Sequence, residues 1–380
     1  MKIVCDENIP LVEPYFSAMG ELFLYPGRDI RAEHVKDADV LLVRSITQVN
    51  KKLLEGSCVS FVGTATIGED HIDKGYLSNA GISFSSAPGC NANSVAEYIV
   101  AALFDWWENP AIEKPVSCLD RLEIGIVGAG SVGSRVKELC NALGVSAVCY
   151  DPFKPEWAHN KLEDLCQADI VSFHTPLTKG GPHPTYHLAD HDFLKELKPG
   201  ALLLNSGRGA VVDNQALYQL LLNGQDLQVG LDVWENEPGI SQELVDLCYL
   251  ATPHIAGYSH DGKVAGTRML YEALCQYLLL DCDVQLPDEA VQSNAPHPRK
   301  KGLASSIATC VRYAYSIRQD DAALRKLMKN TEGAAQRSQG FDSLRKTYRK
   351  RREFSCYKLE KKLLNGVEQE KLKSLGFAVV

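Results

Sequence analysis

Hydrophobic and polar positions alternate along the chain in a pattern that predicts short buried strands separated by helices. Runs rich in Val, Ile and Leu, such as "MKIVCD", "DVLLVRS" and "VSFVGT", are each followed by a stretch in which apolar residues recur every three or four positions. Strands that alternate with helices form parallel sheets with helices on both faces. We therefore expect roughly the first 90 residues to form one α/β unit.

A second series of the same alternation begins at Leu122. It predicts six strands between helices, which make a complete doubly wound dinucleotide-binding domain. The helical stretch "NSVAEYIVAALFDWW" precedes this series, and Pro110 and Pro115 break the chain between them. A long helical pattern then runs from His260 to Asp281. We expect that helix to pack back against the first unit.

The C-terminal part of the chain differs in charge from the rest. From Arg299 to Val380 it carries 20 Lys and Arg against 8 Asp and Glu, although the whole chain of 380 residues has a net charge of −8. Pro287, Pro296 and Pro298 predict a linker in front of it. Within it, "GLASSIATCVRYAYSIR" and "DAALRKLMK" predict helices, and "GFAVV" predicts a short closing strand. This segment is therefore expected to be a domain of its own.

A glycine-rich turn in the second series predicts a nucleotide site. Gly128, Gly130 and Gly133 lie directly after the strand "EIGIV" and open a helix, so a pyrophosphate could approach the backbone at the helix N-terminus. Asp151 follows the next strand, where an acidic side chain can accept hydrogen bonds from an adenosine ribose. No arginine stands beside it to bind a 2′-phosphate. The pattern therefore favours NAD over NADP.

Three chemically useful side chains follow later strands of the same series. Arg208 in "NSGRGAVVD", Glu237 in "LDVWENEP" and His254 in "TPHIAGYS" can converge because the carboxyl ends of parallel strands line one crevice. Hydride removal from a 2-hydroxy acid needs a cation for the carboxylate, a base for the hydroxyl proton and an anion that orients the base. Taken singly, His254 and Glu237 could equally be structural residues.

The motifs together resemble those of the D-isomer-specific 2-hydroxyacid dehydrogenases. The matching pieces are "VGAGSVG" with Asp151, "HTPLT", "NSGRGAVVD", "LDVWENEP" and "TPHIAG", in that family's order. The resemblance implies catalytic roles for Arg208, Glu237 and His254, and an active site between two domains. In the first unit, "TATIGEDHID" is similar to the family loop that holds the substrate carboxylate. The NAD contacts that motif and resemblance imply are Gly128, Gly130, Ser131, Val132, Gly133, Asp151, Thr175, Ser206, Gly207, Arg208, Asp232 and Gly257.

The resemblance also gives a fold class, α/β with two doubly wound parallel-sheet domains and a smaller α+β C-terminal domain. The first domain, flavodoxin-like and substrate-binding, is expected to comprise residues 1–95 and 256–285. A Rossmann NAD-binding domain is expected to comprise residues 96–255. The C-terminal domain is expected to comprise residues 286–380.

One member of that family resembles the chain along its whole length, including "RSITQVN", "APGCNANSVAEY", "PHPTYHL" and "FDSLRKTYRKRREF". That likeness implies a phosphorylated hydroxy acid as substrate and a C-terminal dimerisation domain, hence a homodimer. Such a substrate carries several negative charges, so its site should offer cations and hydroxyls beyond Arg208. We predict substrate contacts from Ser45, Thr66 and Tyr258, with Arg44 as a further candidate.

The basic run near the C-terminus is open to three interpretations. It could be a solvated charged face, which is the usual role of such runs, it could reach a substrate phosphate, or it could bind nucleic acid. Aromatic residues interleaved with the charges would favour nucleic acid, and Tyr348 alone provides this. The run consists of Arg345, Lys346, Arg349, Lys350, Arg351 and Arg352.

Other features bear on location and partners. No apolar run is long enough to cross a bilayer, and Asp6 and Glu7 stand where a signal peptide would have an apolar core. The 12 cysteines are scattered singly, which is typical of reduced thiols. We therefore expect a cytoplasmic protein with neither membrane nor nucleic acid as partner. The histidines at 183, 187 and 191 recur every four residues, but glycines and prolines disfavour a helix there, so no metal is expected.

Two other functions remain open from the sequence. The chain could be another D-2-hydroxyacid dehydrogenase, such as a phosphoglycerate dehydrogenase, with an unrelated C-terminal extension. It could also be an NAD-sensing scaffold that has lost turnover. The presence of all three candidate catalytic residues favours an enzyme.

Overall fold

The computed structural model describes residues 1–114, 116–284 and 303–380. Within them the chain divides into two compact units: Met1–Asn91 with the segment that begins at Ser259, and Ala92–Tyr258 with the C-terminal segment. The linker predicted at Pro287, Pro296 and Pro298 lies outside the described residues, and so does Pro115. The domain boundaries expected from the sequence stay predictions.

Strands and helices alternate through most of the chain, as the hydrophobic pattern predicts. The strands are β1 (Lys2–Asp6), β2 (Glu21–Tyr25), β3 (Val40–Val43), β4 (Phe61–Thr64), β5 (Ser83–Ser85), β6 (Glu123–Val127), β7 (Ser146–Tyr150), β8 (Ile170–Phe173), β9 (Ala201–Asn205), β10 (Leu227–Leu231), β11 (Leu250–Ala251), β12 (Lys358–Leu359) and β13 (Ala378–Val379). The α-helices are α1 (Val12–Phe16), α2 (Ala32–Val35), α3 (Lys51–Leu54), α4 (Lys74–Asn79), α5 (Ala92–Trp107), α6 (Ser131–Leu143), α7 (His191–Glu196), α8 (Asn214–Leu222), α9 (Gln242–Leu247), α10 (His260–Leu278), α11 (Leu303–Ala314), α12 (Ile317–Asn330), α13 (Ala334–Lys346) and α14 (Gly366–Ser374).

The first unit is built on a five-stranded parallel sheet with the strand order β2-β1-β3-β4-β5. This is the flavodoxin-like order expected for the first domain. Strands β3 and β4 are buried at every position because helices cover both faces of the sheet. Helix α10 contacts α1 and β4, which confirms that the long helix after residue 259 packs against this unit.

The second unit is built on a six-stranded parallel sheet with the order β11-β10-β9-β8-β6-β7. The order reverses at β6, since β7 lies on one side of it and β8 on the other. Ligands of doubly wound sheets bind at such a reversal, outside the carboxyl ends of the strands. The predicted fold class is confirmed: both units hold parallel sheets flanked by helices.

The C-terminal segment packs onto this second sheet's helices. Helix α11 contacts α5, and α14 contacts α6, where Lys371 Nζ donates a hydrogen bond to the carbonyl of Leu143 at 2.5 Å. The predicted closing strand is confirmed as β13, which pairs in parallel with β12. Phe354 and Phe377 stack with ring centroids 4.7 Å apart. The segment therefore combines helices with a small sheet, as expected.

Helix α5 is apolar along most of its length because it is enclosed by its neighbours. Thirteen of its 16 residues are buried, and ten of these join one hydrophobic cluster with side chains of α6 and α11. In the parts of the chain that the structure describes, no helix has the length and apolar content required to cross a bilayer.

Candidate active site

The glycine-rich turn joins β6 to α6 in the way the sequence predicts. Gly128 has φ +91°, a conformation that favours glycine. A Cβ on Gly133 would lie 2.0 Å from the carbonyl oxygen of Gly128, so the helix can approach the turn this closely only without a side chain there. Gly130 caps α6 and faces open space, where a pyrophosphate could approach the backbone.

Asp151 is held at the carboxyl end of β7. Its two carboxylate oxygens accept hydrogen bonds from the backbone N–H groups of Ala129, at 2.9 Å, and of Phe153, at 3.0 Å. The side chain is therefore tied to the glycine-rich turn at Ala129. This places an acidic group beside the turn, as a ribose site requires.

Thr175 lies between the glycine-rich turn and the end of β9. A Cβ on Gly128 would lie 2.8 Å from Thr175 Cγ2, and a Cβ on Gly207 would lie 2.9 Å from the Thr175 carbonyl oxygen. The hydroxyl Oγ1 is buried and has no hydrogen-bond partner among the described residues. Because a buried unpaired hydroxyl is unfavourable, this atom fits a site that a polar group of a cofactor completes.

Ser206 shares this end of the sheet with His174. The Ser206 hydroxyl lies 3.2 Å from His174 Nδ1, and the Ser172 hydroxyl lies 2.9 Å from His174 Nε2. Burial lowers the pKa of His174 to about 3, so its imidazole is neutral at physiological pH. His174 therefore fixes the Ser206 loop without adding charge to the site.

Arg208 begins a 3₁₀ helix (Gly209–Val211) directly after β9. Asn205 anchors this backbone, because its side-chain amide donates to the Arg208 carbonyl at 3.0 Å and its side-chain oxygen accepts from the Gly207 N–H at 3.1 Å. A Cβ on Gly209 would overlap the carbonyl of Trp234 at 1.9 Å. The two glycines that flank Arg208 therefore allow this loop to approach neighbouring backbone closely, at Thr175 beside Gly207 and at Trp234 beside Gly209. This close approach explains why the motif has glycine at both positions.

His254 and Glu237 lie in direct contact, the pairing that the sequence predicts. Glu237 Oε2 lies 2.7 Å from His254 Nδ1, and Glu237 Oε1 accepts a hydrogen bond from the Trp234 N–H at 2.8 Å. Burial alone would raise the pKa of Glu237, but the His254 charge and these hydrogen bonds outweigh it, and the pKa lies below its ordinary value. Glu237 is therefore an anion that orients the imidazole through Nδ1. Nε2 is then the ring nitrogen suited to proton exchange.

Asp232 organises the loop that carries His254. Its carboxylate accepts hydrogen bonds from the Thr252 hydroxyl at 2.6 Å and from the backbone N–H groups of Ile255 at 2.8 Å and Ala256 at 2.9 Å. Burial raises the pKa of Asp232, although the charge of His254 and these hydrogen bonds act against the shift. The carboxylate thus holds the backbone on both sides of His254, which has φ +56°. Gly257 comes directly after this anchored stretch.

Tyr258 contacts Arg345, the first residue of the basic run, for which the sequence left three interpretations open. Its hydroxyl accepts a hydrogen bond from Arg345 Nη2 at 3.0 Å, and the guanidinium lies 5.6 Å from the ring centroid. Tyr348 packs edge-on against the same ring at a centroid distance of 6.0 Å. The one signal in the sequence for this packing is Tyr348, an aromatic residue within the basic run that contacts Tyr258 inside the protein.

The solvated-face interpretation of the basic run is wrong for Arg351, whereas Arg349 is exposed and forms an ion pair. Arg349 forms an ion pair with Asp320, which is almost fully buried. Arg351 is 3% exposed, and its Nη2 donates to the carbonyl oxygens of Ser94 at 3.1 Å and Ala256 at 2.6 Å. Arg351 therefore joins the C-terminal segment to the dinucleotide-binding fold. Arg349 pairs within the C-terminal segment, and its side chain is 37% exposed.

Ser45 and Thr66 lie in the first unit, each two residues beyond the end of a strand. They follow β3 and β4, which are neighbours in the sheet, so both stand at the same sheet edge. Ser45 is exposed, whereas the Thr66 hydroxyl donates to the Gly68 carbonyl at 2.9 Å and lies 2.8 Å from the Thr64 hydroxyl. Arg44 Nη1 donates to the Asn8 carbonyl at 3.5 Å.

His187 lies between two carboxylates of the second unit. Its Nε2 is 2.8 Å from Glu235 Oε1, and its Nδ1 is 3.4 Å from Asp213 Oδ2. The three side chains are close enough to hold a metal ion, but each atom already has a partner in this group or in the adjacent backbone. We interpret the group as ion pairs that fix the loop preceding Glu237.

Family models match two parts of the chain. Residues 100–256 match the NAD-binding domain of the D-isomer-specific 2-hydroxyacid dehydrogenases. Residues 286–376 match a domain of unknown function, DUF3410. The first match contains the glycine-rich turn and the ion pair described above.

Curated relatives match the chain over nearly its whole length. An erythronate-4-phosphate dehydrogenase of Pseudomonas entomophila is 45% identical over 360 residues, which cover 93% of this chain and 92% of that protein. An erythronate-4-phosphate dehydrogenase of Saccharophagus degradans is 44% identical over 392 residues, covering all of both chains. These relatives carry the name of the family member that the whole-length sequence likeness indicates.

Among solved structures, the cofactor (NAD⁺)-bound 3-phosphoglycerate dehydrogenase of Entamoeba histolytica is 25% identical with a TM-score of 0.64. The alignment covers 76% of this chain and 99% of that one. A D-lactate dehydrogenase of Aquifex aeolicus, at 24% identity and a TM-score of 0.59, shares the fold.

Proposed function

We propose that this chain, which belongs to the erythronate-4-phosphate dehydrogenases within the D-isomer-specific 2-hydroxyacid dehydrogenase family, catalyses the reaction for which those relatives are named. The chain is an NAD-dependent dehydrogenase, and its substrate is 4-phospho-D-erythronate, which it oxidises at the 2-hydroxyl to 2-oxo-3-hydroxy-4-phosphobutanoate. This reaction belongs to pyridoxine biosynthesis, which leads to pyridoxal 5′-phosphate. The observation that carries the mechanism is the contact of His254 with Glu237, in the same unit as the glycine-rich turn.

His254 acts as the base in this direction. Nδ1 faces Glu237, so Nε2 takes the proton of the substrate 2-hydroxyl while the C2–O bond becomes a carbonyl. The C2–H bond breaks with its electron pair, for which NAD, held at the glycine-rich turn, would supply the hydride acceptor. Glu237 stabilises the imidazolium that results, because its pKa is low enough to keep it charged. In the reverse direction the same imidazolium is the acid.

Arg208 is proposed to bind the substrate carboxylate and the developing carbonyl oxygen. Guanidinium donors match a carboxylate with two parallel hydrogen bonds, and the anchored backbone at the end of β9 limits the positions that this side chain can reach. Polarising the carbonyl oxygen lowers the barrier for removing the hydride. We further propose substrate contacts from Ser45, Thr66 and Tyr258.

NAD is the cofactor, and the residues around the β6–α6 turn fit it. The backbone at the helix start would hold the pyrophosphate, Asp151 the adenosine ribose, and the unpartnered hydroxyl of Thr175 a further polar group. Asp232 would contribute chiefly by fixing the loop of His254. The proposed contacts are Gly128, Gly130, Ser131, Val132, Gly133, Asp151, Thr175, Ser206, Gly207, Arg208, Asp232 and Gly257.

We also propose a cytoplasmic homodimer. Apolar side chains of the C-terminal segment are exposed in the single chain, and a second copy would cover them. They are Tyr313, Leu363, Val367 and Val380. Sedimentation analysis of the wild-type chain and of Val367→Asp tests this, since a monomeric wild type would contradict the proposal.

A substrate panel followed by NADH absorbance at 340 nm tests the reaction. We expect turnover of 4-phospho-D-erythronate with NAD, a much lower kcat/KM for 3-phosphoglycerate, and loss of the signal in His254→Ala. Preference for 3-phosphoglycerate would make the chain a phosphoglycerate dehydrogenase instead. NAD binding without turnover of any 2-hydroxy acid would favour a sensing scaffold.

A further inference from the structure

Arg345 differs from the other arginines of the basic run in what its guanidinium contacts. Arg349 is paired with Asp320, and Arg351 donates to backbone carbonyls. Arg352 Nη2 lies 3.2 Å from Cys356 Sγ, within the C-terminal segment. Arg345 instead reaches from the last turn of α13 to the hydroxyl of Tyr258, four residues after the catalytic histidine.

The guanidinium of Arg345 is incompletely hydrogen-bonded. Nε is buried and has no partner among the described residues, and the hydrogen bond from Nη2 goes to the Tyr258 hydroxyl. An arginine side chain has five N–H donors in a planar fork, and burying one unpaired is unfavourable. The unfilled donor indicates that an acceptor outside the protein chain completes this group.

The surroundings keep Arg345 charged. Burial alone would lower the pKa of Arg345, but Tyr258 and the carboxylate of Glu237 outweigh it, and the pKa lies above its ordinary value. Glu237 responds in the opposite sense, since Arg345 contributes to lowering its pKa. A permanent cation therefore stands close enough to the ion pair of His254 and Glu237 to interact with it electrostatically.

Charge and chemistry together select the ligand. The proposed substrate has an anion at each end, and Arg208 is assigned to the carboxylate next to the reacting carbon. A phosphate offers three oxygens to a planar fork, and arginine is well suited to bind it with two hydrogen bonds. Arg345 also lies outside residues 100–256, which match the NAD-binding domain, and inside residues 286–376, for which the matched domain has no known function.

We propose that Arg345 binds the phosphate group of the substrate and that the C-terminal segment thereby contributes a specificity-determining residue to the active site. The inference rests on the proposed function and deepens it. The phosphate would accept from Nε and from a terminal nitrogen, with the Tyr258 hydroxyl beside it.

The test compares two substrates that differ only in the phosphate, 4-phospho-D-erythronate and D-erythronate. We expect Arg345→Ala to lower kcat/KM for the phosphorylated substrate by roughly 10- to 100-fold, the value of one lost charge-assisted hydrogen-bond pair, mainly through KM. Turnover of D-erythronate, which has no phosphate for Arg345 to bind, should fall much less. Arg345→Lys, which keeps the charge but loses the fork, should give a smaller loss on the phosphorylated substrate alone.

Arg352→Ala is the matched control, because it removes a guanidinium of the same run without touching Tyr258. It should leave both substrates unaffected. A second measurement does not depend on turnover: 4-phospho-D-erythronate should raise the melting temperature of the wild-type protein and should raise that of Arg345→Ala much less.

Equal losses on both substrates would make Arg345 a positioning residue for Tyr258 and overturn the proposal, and so would unchanged kinetics. If Arg345→Ala does not fold, Arg345→Lys carries the same comparison. A wild-type enzyme that fails to turn over the phosphorylated substrate would instead overturn the proposed function itself.

Discussion

The ion pair of Glu237 with His254 can be tested by Glu237→Gln, which keeps the size of the side chain and removes its charge. The glutamine carbonyl can still accept from the Trp234 N–H, where Glu237 Oε1 accepts at 2.8 Å. Its NH₂ group then faces His254 Nδ1, which lay 2.7 Å from a carboxylate oxygen. Nδ1 must become an acceptor, which places the ring proton on Nε2 and prevents that nitrogen from acting as a base.

The electrostatic part of the loss can be worked from the same contact. With charge centres about 4 Å apart and an effective dielectric constant of about 20, the attraction is about 4 kcal/mol. The two side chains are 33% and 20% exposed, so solvent weakens it, and we take about 2 to 3 kcal/mol. That energy stabilises the imidazolium formed during the reaction. Its loss corresponds to roughly 30- to 150-fold in kcat.

The assay is NADH production at 340 nm as a function of pH. Glu237→Gln should lower kcat by at least this factor, and the acidic limb of kcat/KM should move to lower pH because the protonated base has lost its anion. Glu235→Gln is the control, since that carboxylate contacts His187 instead. If Glu237→Gln retained the wild-type rate and pH profile, Glu237 would not be the partner on which the mechanism relies.

Three further changes test the glycine-rich turn, the loop of His254 and a buried carboxyl group. Gly133→Ala places a Cβ 2.0 Å from the Gly128 carbonyl oxygen, so thermal unfolding should show a free energy of unfolding lower by about 1–3 kcal/mol. NADH titration should show weaker binding, and unchanged affinity would contradict the role of the turn. In Asp232→Asn an amide N–H faces a backbone N–H of the loop, so denaturant unfolding should show a free energy of unfolding lower by about 1–3 kcal/mol. The kcat should fall as well, and full activity would mean that Asp232 does not anchor the loop. The pKa of Glu97 is raised well above its ordinary value by burial and by Glu353, and a carboxyl with a raised folded-state pKa costs stability as pH rises above its unfolded value. Glu97→Gln should therefore be more stable than the wild type above about pH 5, with the gain shrinking toward pH 3; a gain that does not vary with pH would refute this.

Local patterns were sufficient to predict the dinucleotide turn and the ends of the strands. Gly128 and Gly133 are dictated by contacts within a few residues of the chain, so their spacing carries the structure directly. The pairing of Glu237 with His254 is also predictable, because parallel strands bring their carboxyl ends to one edge.

Long-range partners of charged residues were not predictable. A run of arginines indicates a solvated surface unless the sequence shows what each charge meets, and the partners of Arg349 and Arg351 lie 29 to 257 positions away. For Asp232 the family likeness indicates a cofactor contact, whereas the structure has its carboxylate accepting three hydrogen bonds from the loop of His254. Which of several acceptors a carboxylate serves depends on tertiary packing, and no periodicity in the sequence records it.

The enclosure of α5 also has a consequence for protein synthesis. The helix ends at Trp107, whereas α11, which packs against it, begins at Leu303. At about 5–20 residues per second, the ribosome needs roughly 10–40 s to make the intervening chain. For that time the growing polypeptide presents an apolar helix face whose cover does not yet exist, and chaperones can bind it. The yield of folded protein should therefore depend on how quickly the part of the message between α5 and α11 is translated.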